Sequence, residues 1–164
     1  MDIKSLQPNS RQSGQKFKQG YYNPENPGKY AGAMPIIYRS GWEYKMCRLL
    51  DLNDKVLKWG SESLKIRYFS RLDNKYHEYF PDFFFVYRDA EGQITKYVIE
   101  VKPKKYLTAP QKPSRLTENT LKRYKYDAEA YIKNMEKAEA CKAYCLSNGL
   151  VYKFVTEDSN LPNL

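Results

Sequence analysis

Trp42, Met46, Leu49 and Leu50 recur every three or four residues, the spacing of a helix that buries one face. Ser40 precedes this run and Glu43 follows it by three, the arrangement of a capping box. A helix of about three turns is therefore predicted from Ser40 onward. Residues 64–70 and 75–80 read as two strands around the turn Leu72-Asp73-Asn74-Lys75. Residues 83–87 and 94–102 read as two more, joined through 88–93. Leu121, Tyr124, Ala128, Tyr131, Met135, Ala138 and Cys145 fall near one face of a long helix over 118–146, and Gly149 suits its end. A last short strand covers 150–155. The runs Phe83-Phe84-Phe85-Val86 and Tyr97-Val98-Ile99 are apolar on both faces, so their sheet is covered on both sides. The predicted class is α/β, with a central mixed sheet flanked by helices.

Composition adds a partner. With 164 residues the chain suits one domain. Lys and Arg number 28 against 19 Asp and Glu, a formal charge of +9, which favours a polyanion such as DNA. Residues 1–32 carry Pro8, Pro24 and Pro27 with little apolar periodicity, and read as an N-terminal arm before a domain over 33–164. Lys16, Phe17, Lys18, Tyr21, Tyr22, Lys29 and Tyr30 mix basic and aromatic groups there. The arm is either a solvated tail or a nucleic-acid contact ordered on binding. No apolar run is long enough for a membrane span, and the polar N-terminus lacks a signal-peptide core. The expected place of work is the cytoplasm. Cys47, Cys141 and Cys145 form no C-x-x-C pair and His77 is the single histidine, so packing, rather than a zinc quartet, is the expected role of the cysteines.

Charges inside the strands change the picture. A hairpin centred on Glu91 sets Asp82 opposite Glu100. Opposed carboxylates destabilise a sheet, and such a pair needs a proton or a cation between its members. Strand alternation points Glu100 and Lys102 the same way. Two acids and an amine then converge beside an apolar sheet, a site that suits Mg²⁺ and the hydrolysis of a phosphodiester. Read singly, Asp82 after Pro81 is also a turn residue, and Glu100 and Lys102 are also neighbours on a solvated face. Glu43 has two readings, capping residue or third metal carboxylate. Lys104, Lys105, Lys112 and Arg115 lie in a proline-interrupted loop just beyond the site, where they either stay solvated or contact phosphates.

Pro81-Asp82 followed by Glu100-Val101-Lys102 resembles the PD-(D/E)XK nuclease superfamily. The words Tyr38-Arg39-Ser40-Gly41-Trp42-Glu43, Trp59-Gly60-Ser61-Glu62 and Tyr79-Phe80-Pro81-Asp82-Phe83-Phe84 are similar to those of head completion nucleases of large contractile-tailed bacteriophages, near the TnsA-like branch. The resemblance spans residues from about 17 to 158. It implies a restriction-endonuclease-like core and an endonuclease that uses Mg²⁺, with Mn²⁺ as a substitute. It implies that Asp82, Glu100 and Glu43 hold the metal and that Lys102 assists hydrolysis. The implied partners are DNA and phage head, portal or neck proteins, in the host cytoplasm or on the virion. Two alternatives share the residues: a structural head protein that needs no catalysis, and a resolvase of flaps or junctions.

Overall fold

The computed structural model describes residues 19–159. Within them, strands β1 (Gly20–Tyr22) and β2 (Ile36–Tyr38) precede helix α1 (Gly41–Leu52). Strands β3 (Val56–Ser61), β4 (Ile66–Ser70), β5 (Lys75–Tyr79), β6 (Phe83–Arg88) and β7 (Ile94–Val101) follow. The long helix α2 (Glu118–Ser147) and strand β8 (Val151–Val155) complete the order. The central sheet runs β3-β6-β7-β8. The β6–β7 pair is antiparallel and β7–β8 is parallel, so the sheet is mixed. β1 with β2, and β4 with β5, form separate two-stranded ribbons.

Alternation along β6 and β7 divides the interior in two. Phe83, Phe85, Tyr97 and Ile99 pack with Met46, Cys47, Leu49 and Leu50 of α1. Phe84 and Val98 face the other way, toward Cys141 and Cys145 of α2 and Ile66, Tyr68 and Tyr79 of the β4–β5 ribbon. The three cysteines are buried and free, as packing residues should be. Helix α1 starts as expected, with Ser40 Oγ accepting the Glu43 N–H at 3.1 Å. Thr117 caps α2 reciprocally with Thr120. Glu136 ties the tip of the ribbon to α2, its Oε1 accepting from the N–H of Arg71 at 3.0 Å and from its Nε at 3.1 Å.

Three features differ from expectation. First, residues 19–32 do not lie outside the domain as an arm. Tyr22 is 5% exposed in the α1 core, and β1 pairs with β2 across the expected boundary. The cause is Asp51, a fully buried helix residue whose carboxylate accepts from Tyr22, Glu25 and Asn26. Second, β3 was not foreseen. Its pairing with β6 shifts register between Val56 and Lys58, and a bulge there spoils the period-two pattern. Third, α2 spans about 45 Å, and its N-terminal half lies against the loop around Lys105–Pro110 and not in the core. Leu121 is 44% exposed, while the buried residues are Glu136, Ala138, Cys141 and Cys145.

Candidate active site

The β6–β7 register pairs Phe83 with Ile99 and Phe84 with Val98. Continuing it by one residue sets Asp82 against Glu100, as the hairpin centred on Glu91 requires. β6 begins at Phe83 whereas β7 runs on to Val101. The Val101 N–H, past the last β6 pair, donates to Asp82 Oδ2 at 2.7 Å. The Asp82 carbonyl in turn accepts from Glu62 N–H at 3.0 Å. Asp82 is thus fixed at both its backbone and its carboxylate. Glu100 shares the Val98 face by alternation; it is 6% exposed, and β8 holds its other edge at Phe154. Lys102 Nζ lies 3.1 Å from Glu100 Oε1. The structure therefore brings Asp82, Glu100 and Lys102 together.

The electrostatics are those of two acids competing for one positive charge. Burial, then the charge of Glu100, raises the Asp82 pKa to about 7, against the opposing pull of the Val101 N–H and Lys102. Burial works against the Lys102 ammonium, but Glu100 and Asp82 outweigh it and its pKa is raised. Glu100 Oε2 is buried and has no hydrogen-bond partner. A buried carboxylate oxygen in that state is costly unless a cation or a proton meets it.

Glu43 is occupied differently. Its carboxylate accepts from the Arg39 N–H at 2.7 Å and from Ser40 Oγ at 3.0 Å, the local work of a helix start. Its charge still acts on both Asp82 and Lys102. Among the described residues no three acidic, histidine or cysteine side chains converge closely enough to enclose an ion. His77 pairs with Asp73 at 2.8 Å. In the loop after the site, Lys104 bridges to Asp158 at 3.0 Å, Lys105 lies over the Tyr106 ring at 4.6 Å, and Lys112 and Arg115 are exposed. Lys16 and Lys18 lie outside the described residues.

Two neighbours of the pocket stand in the motif words but received no role from the sequence. Arg39 and Glu62 form an ion pair at 2.6 Å, and the charges of Glu43 and Asp82 also act on Arg39. Glu62 sits in the left-handed region at φ 48°, a rare conformation for a residue with a side chain. No periodicity or spacing marks either residue.

The TnsA-like endonuclease N-terminal family matches this chain over residues 53–157, a span that holds β3 to β8 and the Asp82–Glu100–Lys102 cluster. The chain belongs to the TnsA-like endonuclease family. It therefore has a restriction-endonuclease-like fold, and it is a DNA-hydrolysing enzyme. It is also 35% identical over 140 residues to the head completion nuclease of Enterobacteria phage T4, covering 85% of this chain and 91% of that one. No solved structure matches. Among the described residues of this TnsA-like endonuclease, no helix is long and apolar enough to cross a membrane.

Proposed function

We propose that the chain cleaves DNA with a divalent cation, Mg²⁺ or in its place Mn²⁺, held by Asp82 and Glu100. The observation that carries this reading is the buried acid pair with Glu100 Oε2 unpartnered. Hard carboxylate oxygens suit such an ion, and it would relieve the repulsion that raises the Asp82 pKa. Glu43, whose charge acts on the same residues, is the third acid of the proposal. When bound, the cation supplies Lewis acidity at the phosphate. Lys102, fixed by Glu100, orients the attacking water and offsets charge that builds on the phosphoryl oxygens. Lys104, Lys105, Lys112 and Arg115, with Lys16 and Lys18, contact neighbouring phosphates and set the register of the duplex.

The name of the phage T4 relative supports a role in completing filled heads. In this reading the chain works in the host cytoplasm or on the virion, beside head and neck proteins. Filled heads made without the chain should stay unable to join tails until it is added; heads that mature unaided would remove that role.

Incubation with linear, supercoiled and branched DNA tests the chemistry. Cutting is expected in Mg²⁺ and not in EDTA. Lys102→Met should lose about a hundredfold or more in rate. Undiminished cutting in EDTA would end the metal reading.

A further inference from the structure

Lys137 belongs to neither the sequence motif nor the basic loop. It sits on α2, half-buried, next in sequence to Glu136, which anchors the ribbon. Its Nζ lies 5.4 Å from the centre of the Tyr79 ring and 6.0 Å from that of Tyr68. Tyr79 closes β5 three residues before Asp82, so the rings that carry the ammonium belong to the segment leading into the site. The charge that acts on Lys137 most strongly is Glu100, followed by Lys102, Lys133 and Asp82. Lys137 stands one turn before Cys141 on α2, and Cys141 packs with Val98 and Tyr79. Glu100 shares the Val98 face, so the ammonium approaches the carboxylates from the helix side, whereas Lys102 approaches from β7.

The two lysines differ in their commitments. Lys102 is paired with Glu100 at 3.1 Å. Lys137 makes no ion pair or hydrogen bond with any of the described residues, and only aromatic faces receive it. Burial, joined by the charges of Lys102 and Lys133, pushes its pKa below the ordinary lysine value despite the pull of Glu100 and Asp82. A half-buried cation without a counter-ion is costly, and ring faces return only part of that cost. Such a group is suited to an anion that arrives later. At this pocket the arriving anion is a DNA phosphate.

We propose that Lys137 is a phosphate-binding catalytic residue, its ammonium contacting a non-bridging oxygen of the phosphodiester held at the Asp82–Glu100 pocket. The inference rests on the nuclease reading above. A fixed donor aimed at the phosphoryl group stabilises charge that grows in the transition state, and so acts chiefly on the chemical step. The competing role is packing, in which the Lys137 stem merely covers Tyr68 and Tyr79.

Lys137→Met keeps an apolar stem and removes the charge; Lys137→Arg keeps the charge. At saturating DNA and Mg²⁺, K137M should cleave at least about tenfold more slowly than wild type, and K137R should recover most of that loss. Melting temperatures of both should stay near wild type. In an Asp82→Asn background, where DNA is bound and not cut, adding K137M should lower the salt slope of binding by about one. Wild-type rates together with an unchanged salt slope would overturn the proposal. So would equal losses in K137M and K137R that track lost folded protein. If the wild type itself cuts nothing, the nuclease reading fails separately, and the salt slope still decides whether Lys137 meets a phosphate.

Discussion

Asp82→Asn is expected to abolish DNA cleavage without weakening the fold at neutral pH. The loss should be on the order of a thousandfold or more, because a lost metal ligand removes several kcal/mol of transition-state stabilisation. Stability should move the other way. Asp82 and Glu100 are like charges on adjoining strands, and burial together with Glu100 raises the Asp82 pKa to about 7, from 3.8. In metal-free protein the folded state therefore holds this proton across a pH range where the unfolded chain has released it. Stability from this group is greatest at low pH and is lost as pH rises from about 4 to about 7. Asparagine resembles the protonated acid at every pH. Urea denaturation in EDTA should thus show D82N gaining on wild type between about pH 4 and about pH 7. A constant difference between the two proteins would show that Asp82 does not titrate in that range. Retained cleavage would remove it from the site.

Asp51→Ala should cause the largest loss of stability of any single change considered. Asp51 is 0% exposed. Its Oδ2 accepts from the Tyr22 hydroxyl at 2.8 Å and the Glu25 N–H at 2.7 Å, and its Oδ1 from the Asn26 N–H at 3.0 Å. Its carbonyl accepts from Asn26 Nδ2 and Lys29 Nζ, both at 3.0 Å. Lys29 also binds the Asn53 carbonyl at 3.0 Å, so a cation meets the carbonyl end of α1, where the helix dipole favours one. The carboxylate fastens residues 22–26 to the helix. Alanine would leave its donors unpaired, two of them backbone groups near the core. Hydrogen bonds to a charged group contribute about 1.5–3 kcal/mol each and do not add fully, so a cost of about 3–5 kcal/mol is expected. Denaturant titration of D51A measures it. A change below about 1 kcal/mol would mean that the N-terminal segment is held by apolar contacts alone.

The residues explain why some of this could be read in advance. A strand pair with a short polar connection fixes its own register, so Asp82, Glu100 and Lys102 followed from counting outward from Glu91. The Ser40 cap is equally local, and the helix begins where it indicates, although Glu43 turns its carboxylate to the Arg39 N–H rather than to that of Ser40. Asp51 gave no such signal. In Leu49-Leu50-Asp51-Leu52 a lone acid reads as a solvent-facing position, and only its distant partners at 22–26 reverse that. β3 hid behind its bulge at Val56 to Lys58. β1 and β2 are three residues each, too short to carry a period. Lys137 was one of five lysines on a helix of nearly balanced charge; the rings of Tyr68 and Tyr79 single it out, and those are brought to it only by the folded ribbon. Local pattern thus gave the acids, and tertiary contact gave the groups around them.

The central claim is that Asp82 and Glu100 share a divalent ion beside Lys102. Anomalous diffraction from crystals grown without metal and soaked in MnCl₂ tests it most directly. The account predicts one peak bound by both carboxylates in wild type and no peak there in Asp82→Asn crystals. Manganese bound elsewhere, with the Asp82–Glu100 pocket empty in protein that still cuts DNA under the same conditions, would contradict it.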